Sequence, residues 1–172
     1  MLMNLPGVTS AAAAKVVGIG YEGFRSYLNR GLLGRVGMLP GFHVPGSDTA
    51  DNPSPRVGWK TFGFSDLCLM RTAKILMDSG FSFASANSVA SQHELWSRLQ
   101  HDEAPTDRFL LLWPPYGDHI LFDPSDLHLL PQRLKEAEAY GVVTLINLGD
   151  VQRHVAEELA VIHGDSASAK AA

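Results

Sequence analysis

The chain is poor in the residues and runs that much small-protein chemistry draws on. It holds one cysteine, Cys68, in 172 residues. That excludes an intramolecular disulfide framework and a multi-cysteine zinc site. Cys68 sits among Leu67, Leu69 and Met70, so it reads as a small buried hydrophobe rather than a reactive or sensing thiol. No apolar run approaches the roughly 20 residues a spanning helix needs. The start, Met1-Leu2-Met3-Asn4, lacks the basic residues and long apolar stretch of a secretion signal. The expectation is a cytoplasmic protein with no membrane partner. Charged residues are only 19% against 45% hydrophobic, the balance of a globular chain rather than a disordered one.

Catalytic patterns are thin as well. The seven histidines, at 43, 93, 101, 119, 128, 154 and 163, are scattered, and none forms a zincin-like i, i+4 pair. There is no phosphate-binding loop and no nucleophile elbow. Asp118, His119, Asp123 and Asp126 cluster around a turn, where helix capping and solvation compete with a metal or general-base site. The expectation is a protein that is not an enzyme and takes no metal and no cofactor.

What is present is unevenly spread. Residues 1–100 hold nine Lys/Arg against six Asp/Glu, a net of +3, and residues 101–172 hold five against twelve, a net of −7, which together make the −4 of the chain. This fits two modules with different partners, or a second half that is merely solubilised by its acids.

Thr9 or Ser10 is placed to cap a helix through the alanine run to Val17, and Gly18-Ile19-Gly20 stops it. A second helix runs from Tyr21 to about Arg30 and ends at Gly31; Phe24 and Leu28 share one of its faces. Two short helices around a glycine turn are the helix-turn-helix pattern. Residues 36–58 are rich in proline and glycine, a long loop between extended pieces near 32–35 and 57–62. Ser65 then starts a third helix over about 66–78, and Ser82 a fourth reaching about Gln100. Residues 101–107 read as a linker. Beyond it come strands at 108–114 and 119–122, a helix capped by Asp123 or Ser125 and reaching Tyr140, a strand over 142–148, a helix over 151–163 and a frayed, disordered tail from about 165.

Gly18-Ile19-Gly20-Tyr21-Glu22-Gly23 matches G-x-G-x-x-G, yet a helix rather than a strand precedes it, so a dinucleotide site does not follow. A second set of residues carries more. Gly18-Ile19, Phe24-Arg25-Ser26-Tyr27 and Gly31-Leu32-Leu33 resemble the MerR-type pattern G-V-x-x-x-x-L-R-x-Y-x-x-x-G-L-L without a gap. Gly58-Trp59-Lys60-Thr61-Phe62 with Asp66-Leu67 is similar to G-Y-R-x-Y-x-x-x-D-L. Gly80-Phe81-Ser82-Phe83 resembles G-F-S-L at the start of that family's fourth helix.

The resemblance covers about residues 9–100 and implies a mainly α winged helix-turn-helix of four helices plus a β-hairpin wing. A small α/β module of β-β-α-β-α order follows it, for effector binding or dimerisation. The second helix enters the major groove with its N-terminal residues nearest the bases. The contact set is then Tyr21, Glu22, Arg25, Ser26, Tyr27, Arg35, Trp59 and Lys60, with Arg25 and Lys60 on phosphate. For Tyr27 and Trp59, core or hairpin packing is the competing role. The chain departs from the pattern at Gly23, where threonine is common, at Ser26, where an aromatic is frequent, and at Trp59-Lys60, where lysine lacks the arginine fork.

The function implied is sequence-specific double-stranded DNA binding by a transcriptional regulator, nucleoid-associated when bound. Its implied partners are a second copy of itself, RNA polymerase at the promoter and an unknown small-molecule effector. An excisionase-like DNA-architectural role and a ligand- or protein-interaction module are the alternatives. The dimer surface is open between the last helix, the edge of the strand at 142–148 and the fourth helix.

Overall fold

A computed structural model describes residues 6–33, 61–101, 104–113, 119–139 and 141–170. The chain is mostly helical, with a small three-stranded antiparallel sheet. Helix α1 spans Ser10–Val17, with the Thr9 hydroxyl accepting from the Ala12 N–H. Gly18, at φ 78°, ends it in the left-handed region that glycine tolerates. Helix α2 spans Tyr21–Asn29. Of the extended pieces expected for the hairpin wing near 32–35 and 57–62, Leu32 and Leu33 lie in a turn instead, and residues 34–60 lie outside the described residues. Val8 and Phe62 form a single antiparallel bridge, with backbone hydrogen bonds of 3.0 and 2.9 Å.

Helix α3 spans Phe64–Asp78. It starts two residues earlier than expected, because its first turn is capped by Asp66 rather than Ser65. The Asp66 carboxylate accepts the Gly63 N–H at 3.1 Å, while Ser65 is buried. The expected fourth helix is two helices, α4 over Phe83–Ala90 and α5 over His93–His101. Ser82 caps the first as anticipated, accepting from the Ser85 N–H. The break at Ser91-Gln92 turns the chain so that Leu95, Trp96 and Leu99 all reach the core.

In the sheet, β1 (Phe109–Leu112) lies between β2 (His119–Phe122) and β3 (Thr144–Asn147). Leu110 pairs with Leu121 on one side and with Ile146 on the other. The helix expected from Asp123 or Ser125 to Tyr140 does not form as one piece. A 3-10 stretch, Pro124–Leu129, is followed by α6, Leu130–Glu136. Pro131 has no N–H to continue an α ladder from the preceding turn, so a fresh helix starts around it. Asp123 makes no cap; it pairs with Arg108 at 3.0 Å. The last helix, α7, spans Leu148–Lys170. It leaves β3 directly and continues through residues expected to fray.

One hydrophobic core joins both halves. Val16, Phe24, Leu67 and Leu76 belong to the same cluster as Leu110, Ile146, Val151, Val155 and Leu159. Helix α7 packs on α1 and α3. The segment expected as a linker is pinned to α7. Thr106 donates its N–H to Gln152 at 3.0 Å, and Arg153 donates to Asp107 at 2.7 Å. That arginine, with Asn147, holds the Asp107 carboxyl below its usual range. Gly149 sits so close to this segment that a Cβ there would lie 2.9 Å from the Asp107 backbone.

Cys68 is fully buried within this core, and burial, with Asp66 nearby, pushes its thiol well up. It is expected to resist a maleimide in the native state and to react once denatured. Free native reactivity, read by mass spectrometry, would contradict that burial. The sign for stability is fixed too. Unfolding frees a thiol that ionises in its ordinary range, so this group's contribution is intact below about pH 8.5 and falls as pH rises beyond it.

Candidate nucleic-acid interface

The inner face of α2 is set by Phe24 and Leu28, both buried. Phe24 meets Phe62 edge to face, centroids 5.4 Å apart at 77°. The outer face is therefore fixed. Tyr21, Glu22, Arg25 and Ser26 are all exposed on it, at spacings of one, three and four residues. Asn29 continues the same face one turn on. The Arg25 guanidinium lies 3.9 Å from Glu22 and 5.9 Å from the Tyr21 ring centroid. Both charged side chains are more than half exposed, so the pair adds little stability and leaves Arg25 free to turn to another anion.

Tyr27 stands apart from these four. It is half-buried, with its ring 5.5 Å from that of Phe83 in α4. Arg30 lies over Phe83 at 3.9 Å and 6.0 Å from the Tyr27 centroid. The three form a stack that braces α2 against α4. Arg35, Trp59 and Lys60 lie outside the described residues. Of the eight sequence candidates, the structure thus brings four onto one surface and places Tyr27 on its flank.

Two carbonyls at the end of α1 hold the turn before α2. Arg71 of α3 donates to the Val17 carbonyl at 2.8 Å, and His154 of α7 donates its Nε2–H to the Val16 carbonyl at 3.1 Å. Both serve carbonyls that a helix end leaves without partners. Neither side chain is readable from sequence, because each belongs to a distant helix with no local signature. After α2, Asn87 of α4 clamps the chain, accepting from the Leu33 N–H at 2.6 Å and donating to the Gly31 carbonyl at 3.1 Å. Leu33 sits at φ 59°, a strained backbone for leucine that this clamp sustains.

At Gly18 a Cβ would lie 2.4 Å from the Arg71 guanidinium nitrogen. Gly18→Ala is expected to cost about 1–2 kcal/mol from the left-handed backbone, and more if Arg71 lets go of Val17. Urea denaturation checks this; unchanged stability would mean that the turn relaxes freely.

Among the described residues no group of three His, Cys, Asp or Glu side chains is placed to hold a metal ion, and no helix is long and apolar enough to cross a membrane. Compared with protein-family models, with curated proteins and with solved structures, the chain gives no match.

Proposed function

We propose that this chain is a sequence-specific double-stranded DNA-binding protein, a transcriptional regulator of the MerR type. Helices α1 and α2 serve as the helix-turn-helix of a winged fold, and α2 enters the major groove. The observation that carries this reading is the exposed face of α2. Tyr21, Glu22, Arg25 and Ser26 stand together at its N-terminal half, where a recognition helix meets base edges. Tyr21 and Ser26 offer hydroxyls, Glu22 an acceptor for cytosine amino groups, and Arg25 a fork for guanine or phosphate. The order of motifs along residues 9–100 supports the same assignment. Tyr27 acts here as a brace rather than a contact. Homodimeric binding to a pseudo-palindromic site, contact with RNA polymerase and a cytoplasmic location go with this reading.

The test is fluorescence anisotropy of full-length protein on duplex DNA, titrated across salt. Wild type is expected to bind with affinity falling steeply as salt rises. If Arg25 sits on phosphate, Arg25→Ala lowers the log–log slope by about one unit; if it reads guanine, the variant loses about 1–3 kcal/mol and relaxes specificity. Lys60→Ala is expected to act as a phosphate variant. Absence of binding at low salt would overturn the assignment.

A further inference from the structure

Between β2 and α6 the chain leaves a cavity of about 220 Å³, walled by Ile120, Leu121 and Phe122 of the strand, Asp126 of the 3-10 stretch, and Leu130 and Arg133 of α6. It has the liquid volume of roughly seven waters. That is room for a small organic molecule and too little for a drug-sized one. Ile120, Phe122 and Leu130 make part of the wall apolar. A second part is backbone, and its direction follows from the ladder. Leu148 donates its N–H to the Arg108 carbonyl, so Leu110 and Leu112 turn their backbone groups to β3. Phe109 and Leu111 then turn theirs to Phe122 and Ile120. Leu121, between those two, directs its N–H and C=O away from the sheet, and no strand lies beyond β2 among the described residues. The third part is charge of both signs. Asp126 is exposed and pairs with no cation among the described residues. Arg133 has only a loose pair with Glu136, 3.7 Å apart with both side chains more than half exposed.

We infer that this cavity binds a free amino acid with a small aliphatic side chain. The occupant follows from charge complementarity. Its carboxylate meets the Arg133 guanidinium, whose donors form a fork that matches two oxygens. Its ammonium meets the Asp126 carboxylate. The N–H and C=O of Leu121 offer one more donor to the carboxylate and one more acceptor to the ammonium. The side chain lies on Ile120, Phe122 and Leu130. A simple fatty acid would leave its negative charge beside Asp126, and a simple amine its positive charge beside Arg133. Only a molecule carrying both charges on one small centre answers both walls. A nucleotide exceeds the volume and would bring its phosphates to Asp126. No residue of α2 lines the cavity, so the site stands whether or not α2 binds DNA.

The test is titration of the full chain with leucine, valine and methionine, followed by amide NMR. At least one is expected to bind saturably with a Kd of about 10 μM to 1 mM, moving the Leu121 amide. Two controls each lack one charge of leucine: 4-methylpentanoate has no ammonium and isoamylamine no carboxylate. Both are expected to bind at least about tenfold more weakly. Arg133→Gln and Asp126→Asn, on exposed side chains that leave the fold intact, are each expected to weaken the amino acid by about tenfold or more. The pattern is specific. Asp126→Asn removes the preference for leucine over 4-methylpentanoate, and Arg133→Gln removes the preference over isoamylamine. No saturable binding of the three amino acids up to about 10 mM, well above that Kd range, would overturn the site. So would equal binding of the single-charge controls to wild type, which would leave an apolar cleft without charge recognition.

Discussion

Val155→Asp is expected to unfold the helices that carry α2, although it lies far along the chain from them. Val155 is fully buried on α7, in the layer where α7 packs on α1 and α3. A carboxylate there would sit within the apolar cluster, and an uncompensated buried charge costs about 3–5 kcal/mol. Domains are stable by only about 5–15 kcal/mol in total. The variant is therefore expected to lose most or all of its cooperative transition, read by thermal circular dichroism. Val155→Ala, which removes two methyl groups but adds no charge, is expected to lose about 1–2 kcal/mol. Were the aspartate variant to melt like wild type, with resonances of residues 10–30 unmoved, α7 would not be part of the N-terminal core.

The second large effect is expected at Phe62. Its ring is fully buried, it stacks edge to face on Phe24, and its backbone closes the bridge to Val8. Phe62→Ala leaves a cavity beneath α2 and is expected to cost about 3–5 kcal/mol, while Phe62→Leu, which keeps most of the volume, should cost less than about 1.5 kcal/mol. Urea titration of both variants, with an unchanged slope, gives the comparison. Equal losses would mean that the site tolerates no change of shape; no loss from alanine would mean that the bridge rather than the ring holds this corner.

Much of the N-terminal half was readable because its signals are local. Thr9 and Ser82 cap the helices they precede, and Gly18, Gly31 and Gly80 take positive φ where the chain must stop or turn. The apolar surroundings of Cys68 announced its burial. Other features depended on tertiary context. Asp66 replaced Ser65 as a cap because the Gly63 N–H lies within its reach. Pro131 divided a helix that its capping residues made look continuous to Tyr140. The break at Ser91 follows from where the core lies, which no window of residues reveals. Segment 104–107 has the composition of a tether, yet Gln152 and Arg153 pin it. For the candidate interface, the resemblance pointed to Tyr21, Glu22, Arg25 and Ser26, and all four are exposed on α2. It could not show that Tyr27 faces Phe83, since that ring arrives from another helix.

The hydrogen bond from His154 to Val16 joins residues 138 positions apart. It ties the last helix directly to the turn before α2. Coupling between two sites is reciprocal. A ligand or partner that displaced α7 would have to give up this contact, and so alter how firmly α2 is presented. By the same account, whatever grips α2 tightens α7 by an equal free energy. If α2 binds DNA as proposed, this contact predicts slower hydrogen exchange in α7 on binding, and unchanged exchange there would show that the contact transmits nothing.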